Sequence, residues 1–211
     1  MPEFSNLIAF ALISLGMVLT PGPNMVYVIS RSISQGRKAG LISLAGVGVG
    51  FLFYMLCAAF GITGLVMAVP YAYDTLRLAG ALYLLYLAWQ AVKPGGRSPF
   101  QVKELPRDSN RQLFLMGLLT NLFNPKVAVL YLSLLPQFIT VGNGASVLGQ
   151  SLILGCAQIG VSLTVNTMVV MAAGSIALFI ATKPTWANVQ RWFMGTVLFG
   201  FAVRMAVESR K

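Results

Sequence analysis

The chain has 211 residues, 57% of them hydrophobic and 9% charged, with a mean hydropathy of +0.78. A soluble domain carries about 25% charged residues, and one this small has too little interior to shield so much apolar surface from water, so a soluble fold is excluded and a lipid bilayer is the solvent. The formal net charge of +10 comes from fifteen Lys and Arg scattered between apolar runs, without the basic helix of a nucleic-acid binder.

There is no His, and the five acids Glu3, Asp74, Glu104, Asp108 and Glu208 never pair within one apolar segment. His triads, two-carboxylate hydrolysis and His-ligated metal sites therefore lack parts, and neither an enzyme nor a metal or cofactor is expected. Cys57 and Cys156 sit deep in apolar runs and read as small packing residues.

A helix crossing the bilayer needs about 20 mostly apolar residues, and charged or Pro/Gly-rich punctuation divides the chain into six such segments, approximately 6–30, 39–69, 75–92, 112–137, 147–181 and 190–207. The first has only Glu3 as a charge before it and no basic leader, so it reads as a retained span and not a cleaved signal. The fifth is too long to cross upright; it must tilt, protrude or be interrupted near Gly155, Gly160 or Gly174. The stretch KPGGRSPFQVKELPRDSNR, residues 93–111, is a basic linker between halves 1–92 and 112–211 of a single membrane domain. Ten of the fifteen basic residues fall on the side that holds this linker and four on the other, with Lys126 apart. The positive-inside rule makes the ten-charge side cytoplasmic and turns both termini outward.

Segments one and four carry the unusual chemistry. Thr20, Pro21, Gly22, Pro23 and Asn24 lie about fourteen residues into the first span, and Asn124, Pro125 and Lys126 lie at a similar depth in the fourth. Proline has no N–H and its ring displaces the preceding turn, so both helices must break in mid-membrane. Three spans per half is an odd number, which predicts an all-α fold of six transmembrane helices in two inverted three-helix repeats. A broken helix exposes carbonyls at the end of its first half and N–H groups at the start of its second, and lipid satisfies neither. A zwitterionic amino acid offers an ammonium for the former and a carboxylate for the latter. Lys126, far from both ends of its span and without an acid in its helix, is expected to be buried with the substrate carboxylate as its partner.

Other polar residues have a structural reading beside the functional one. Asn24, Asn121 and Asn124 suit helix caps as well as a binding site. Tyr54, Gln158 and Asn166 suit interhelical hydrogen bonds as well as a pathway. Gly46 and Gly50 form a GxxxG, which favours helix packing.

The TPGPN run at 20–24, the Gly-rich second helix, LAGALYLLYLAWQAVK in the third and NLFNPKVAVLYLSLLPQF at 121–138 together resemble the lysine-exporter (LysE/RhtB-type) family of bacterial amino-acid exporters along nearly the whole chain. The resemblance implies export of an amino acid or related metabolite across the inner membrane, driven by the proton motive force, with residues 20–24 and 124–126 lining the central site. The chain departs from the family where members often carry a His in helix two and an acid in helix five, positions taken here by Tyr54 and Asn166. That leaves Lys126 as the titratable candidate for proton coupling. A buried Lys with no buried acid argues against a cationic cargo and for neutral, threonine-like or branched amino acids. A passive channel would call for a ring of acids or a carbonyl filter that the sequence lacks, and a non-transporting scaffold would need neither the paired breaks nor Lys126. A bundle this small also leaves room for a homodimer.

Overall fold

The structure, a computed structural model, describes residues 2–20, 22–60, 72–93, 107–140, 144–182 and 184–207, and these are helical without a strand. Pro21 and most of the linker lie outside them, as does the C-terminal part of the second predicted span. The chain runs through α1 (Phe4–Leu19), α2 (Pro23–Gln35), α3 (Arg37–Ala59), α4 (Ala72–Val92), α5 (Asn110–Leu122), α6 (Pro125–Val129), α7 (Val147–Thr182) and α8 (Pro184–Val207).

Both expected breaks are present. The axis bends by 52° between α1 and α2 and by 48° between α5 and the helical segment Pro125–Phe138. Each second half begins on a proline, Pro23 or Pro125, in the first-turn position where a missing N–H costs nothing. Beyond Val129 the helix widens to a π turn at Leu130–Leu134 and tightens to a 3-10 turn at Leu135–Phe138, because Pro136 has no N–H to continue the α pattern.

By length and apolarity α3 and Val147–Ser175 of α7 could each cross a membrane alone, and each bent pair passes as one further span. α7 is one continuous helix of 36 residues, so none of its glycines interrupts it. Gly155 is instead a packing residue, since a Cβ there would collide with Met55 of α3. A helix of that length, at about 1.5 Å per residue, exceeds the roughly 30 Å of hydrocarbon and must tilt or protrude.

Two boundaries differ from expectation. α2 continues past Ser30 to Gln35, which places Arg31 inside a helix and buries it. α5 starts at Asn110, two residues early, on a capping box in which Ser109 and Gln112 satisfy each other's backbone N–H.

The core is formed where α1, α2, α3, α7 and the π turn after α6 meet, around Phe10, Val28, Val47, Phe51, Tyr131 and Leu154. α3 lies against α5 with almost no side chain between them: a Cβ on Gly46 would collide with the Phe114 carbonyl, and one on Gly117 with the Ser43 carbonyl. The GxxxG of α3 is thus a packing surface, as its small residues suggest. α4 and α8 pack chiefly on each other, with Gly195 against Val92.

Candidate functional site

The two breaks face one another across a small cavity. Its wall includes Ser14 and Met17 of α1, Gly22 in the first break, Asn24 of α2, Phe51 of α3, Asn124 and Lys126 at the second break, and Gln158, Ser162 and Asn166 of α7. The cavity volume is about 30 Å³, which admits water and no amino acid.

Lys126 dominates this space. Its side chain crosses from the second half of the chain to the first, where Nζ donates to the carbonyl oxygens of Met17 at 2.7 Å and Thr20 at 2.5 Å. These carbonyls lie at the negative end of the α1 dipole, where the Met17 oxygen is otherwise met only by a long 3.3 Å contact from the Thr20 N–H among the described residues. The carbonyl of Gly16, one turn earlier, is met by the Thr20 hydroxyl at 2.8 Å. The Lys126 charge, in a side chain only 9% exposed, therefore rests on a helix C-terminus with no carboxylate beside it among the described residues. The arrangement differs from the expected one, in which the α1 carbonyls wait for a substrate ammonium; the side-chain ammonium of Lys126 occupies them. An ammonium has three donors, and two are used here.

At the second break the carbonyl end is satisfied from α3, where the Tyr54 hydroxyl donates to Leu122 O at 2.8 Å and the Tyr54 ring stacks on Tyr131. Asn124 caps the following half-helix by accepting from the Lys126 backbone N–H at 3.0 Å. Tyr54 and Asn124 thus serve the backbone, and Asn121 packs against Gly50 outside the cavity wall. Thr20 reaches the site through its carbonyl, and Pro23 and Pro125 set the helix starts while their side chains stay exposed.

The α7 wall is a stripe of polar groups four residues apart. Gln158 accepts from the Tyr131 hydroxyl at 2.5 Å and donates to Ser162 at 2.7 Å, and Asn166 donates to the Ser162 carbonyl at 2.8 Å. Three buried oxygens in the wall have no hydrogen-bond partner among the described residues: Ser14 Oγ, Asn24 Oδ1 and Asn166 Oδ1. Buried polar atoms are nearly always paired, so three orphans in one cavity form a surface made for a polar visitor. Ser14 and Ser162 were not anticipated from sequence; the spacing of Gln158, Ser162 and Asn166 on one helical face was the available signal for the latter.

Broken apolar spans closing on a polar, cation-bearing cavity define a multi-spanning helical membrane protein with an interior suited to a polar solute. The comparison with known families agrees: the profile described as LysE type translocator matches residues 15–209. The chain belongs to the LysE-type translocator family, and is a transporter and not an enzyme. It is 29% identical over 194 residues to the leucine efflux protein of Salmonella choleraesuis (strain SC-B67), covering 90% of this chain and 89% of that one. It is also 29% identical over 201 residues to the leucine efflux protein of Enterobacter sp. (strain 638), covering 90% of each. No solved structure gives a significant match.

Proposed function

We propose that this protein is a secondary transporter of the bacterial inner membrane that exports a neutral amino acid with a branched aliphatic side chain, of which leucine is the type, by alternating access. In this reading α1 with α2, α3 and α4 form one three-helix repeat, and α5 with α6, α7 and α8 form its inverted counterpart, with both termini outside and the basic linker in the cytoplasm. The observation that carries it is the cavity between the two breaks, where a buried ammonium, helix-end carbonyls and orphaned polar oxygens are brought together in an otherwise apolar bundle. The efflux proteins of similar sequence support leucine as the first substrate to test.

The substrate lies between the breaks, with its carboxylate on Lys126, its ammonium among the carbonyls and amides of α1, α2 and α7, and its side chain toward Met17, Phe51 and Leu130. Lys126 is the single ionisable side chain in the described cavity wall, so coupling to the proton motive force, which family membership suggests, runs through it. Radiolabelled leucine counterflow in proteoliposomes tests the reading. Wild-type protein should exchange leucine and expel it uphill when a pH gradient is imposed, while Lys126→Ala should do neither. Equal flux by wild type and Lys126→Ala would reject the site, and flux that only ever runs downhill would make the protein a channel.

A further inference from the structure

We propose that the carbonyl end of α1 is an ammonium-binding site that Lys126 fills with a tethered ammonium when the transporter is empty, and that loading is an exchange of one ammonium for another. A substrate ammonium takes over the Met17 and Thr20 carbonyls, and the displaced Lys126 ammonium is compensated by the carboxylate of the same molecule. The proposal rests on the reading of the cavity as the substrate site.

Four observations lead to it. Nζ of Lys126 is held by two carbonyls contributed by the opposite half of the chain, 106 and 109 residues away. With the ammonium there, the remaining volume of about 30 Å³ is too small for an amino acid, so loading requires the wall to rearrange, and Lys126 is the group in it that covers the α1 carbonyls. Gly22 leaves room for that head, since a Cβ at this position would stand 3.2 Å from Nζ. The orphaned oxygens of Ser14, Asn24 and Asn166, in residues 1%, 7% and 3% exposed, are hydrogen-bond acceptors in the same wall and suit the N–H groups of an incoming ammonium.

The exchange also sets specificity. An amine without a carboxylate would displace Lys126 and leave two cations in one buried site, which is strongly unfavourable. A carboxylic acid without an amine would draw Lys126 off and leave the α1 carbonyls without a cation. Only a zwitterion leaves every group paired. The tethered ammonium thus acts as a gatekeeper that admits amino acids and refuses simple amines of the same shape.

The test uses isothermal titration of the full-length protein in detergent with three probes: leucine, 3-methylbutylamine (leucine without its carboxylate) and 4-methylpentanoate (leucine without its amine). Wild type should bind leucine and neither fragment. Lys126→Met should lose leucine affinity by about tenfold or more, as expected for one charge-assisted hydrogen bond. It should also gain 3-methylbutylamine binding by a similar factor, because the carbonyl site is vacated. Lys126→Gln, which keeps a polar head, provides a second folded variant and should gain the amine to a lesser degree. A gain of amine binding in the Lys126 variants, with a wild-type protein that never binds leucine, would support the ammonium site and reject the substrate reading. Variants that fold, by monodisperse elution and helical circular dichroism, yet bind the amine no better than wild type overturn the proposal.

Discussion

Arg31 in α2 and Asp108 just before α5 form an ion pair at 2.5 Å, with side chains 8% and 18% exposed, and so tie the second half of the first broken span to the start of the other. The Arg31 guanidinium also lies over the Tyr27 ring, 5.7 Å from its centre, and the Tyr27 hydroxyl donates to Leu113 O at 2.8 Å. Both contacts hold α2 against the start of α5, at the end of the two halves that adjoins the basic linker. Asp108→Asn removes the carboxylate and leaves a largely buried guanidinium without it, a change costing several kcal/mol in a dry site and about 1–3 kcal/mol at this partial exposure. The expected outcome is a lower Tm in detergent together with faster maleimide labelling of a cysteine introduced at Ser43, which is buried beneath this end. The charge swap of Arg31→Asp with Asp108→Arg should restore slow labelling. Labelling unchanged by Asp108→Asn would show that the pair does not hold this end closed.

Ser14, Asn24 and Asn166 are expected to separate function from stability. Each holds a buried oxygen without a partner among the described residues, and an unmet acceptor is a standing cost of about 1–3 kcal/mol to the folded state. Asn24→Ala should therefore leave Tm unchanged or raised while cutting leucine counterflow by about tenfold or more, the loss of a hydrogen bond made only with substrate. Ser14→Ala should follow the same pattern more weakly. A fall in Tm parallel to the fall in flux would identify these groups as structural, and unimpaired flux would remove them from the site.

The breaks could be read in advance because their cause is local. A proline lacks its N–H whatever surrounds it, and two proline-centred runs at matching depth, at Pro23 and Pro125, place both interruptions before any packing is known. The direction of Lys126 could not be read, since its acceptors on Met17 and Thr20 come near only when the halves fold together. Composition makes a buried cation visible and leaves its partner open. Arg31 reads as a loop charge by the same logic, because its carboxylate stands 77 residues on in a linker that otherwise looks solvated. Gly155 was an ambiguous sign for a related reason: a glycine inside an apolar helix serves equally for a break or for close approach, and Met55 decides in favour of approach.

Tyr54 is a titratable side chain within α3, yet its hydroxyl is engaged with the last carbonyl of α5. Tyr54→Phe keeps the ring stacked on Tyr131 and deletes that donor to the half-buried Leu122 carbonyl, at a cost of about 1 kcal/mol. The expected result is a modest fall in Tm with the acceleration of efflux by a pH gradient retained. Lys126→Gln should show the opposite balance, a folded protein whose residual leucine flux no longer responds to the gradient. Loss of gradient response in Tyr54→Phe with full downhill exchange would transfer the coupling role from Lys126 to Tyr54.

Gly46 offers the most direct test of how the two halves are held together. Its Cα sits against the backbone of α5, where a Cβ would meet the Phe114 carbonyl and the Leu118 nitrogen and no flexible side chain that could move aside. Gly46→Ala must therefore move α3 and α5 apart, which breaks contacts along a helix pair at the centre of the bundle, and overpacking of this kind costs about 1–3 kcal/mol or more. The folded yield in membranes should drop sharply, and any protein recovered should melt earlier. Gly160→Ala in α7, where a Cβ meets nothing within 4 Å, is the matched control and should be neutral or slightly stabilising through its better helix propensity. Equal yields and equal Tm for the two variants would show that the close backbone contact between α3 and α5 is not a feature of the folded protein.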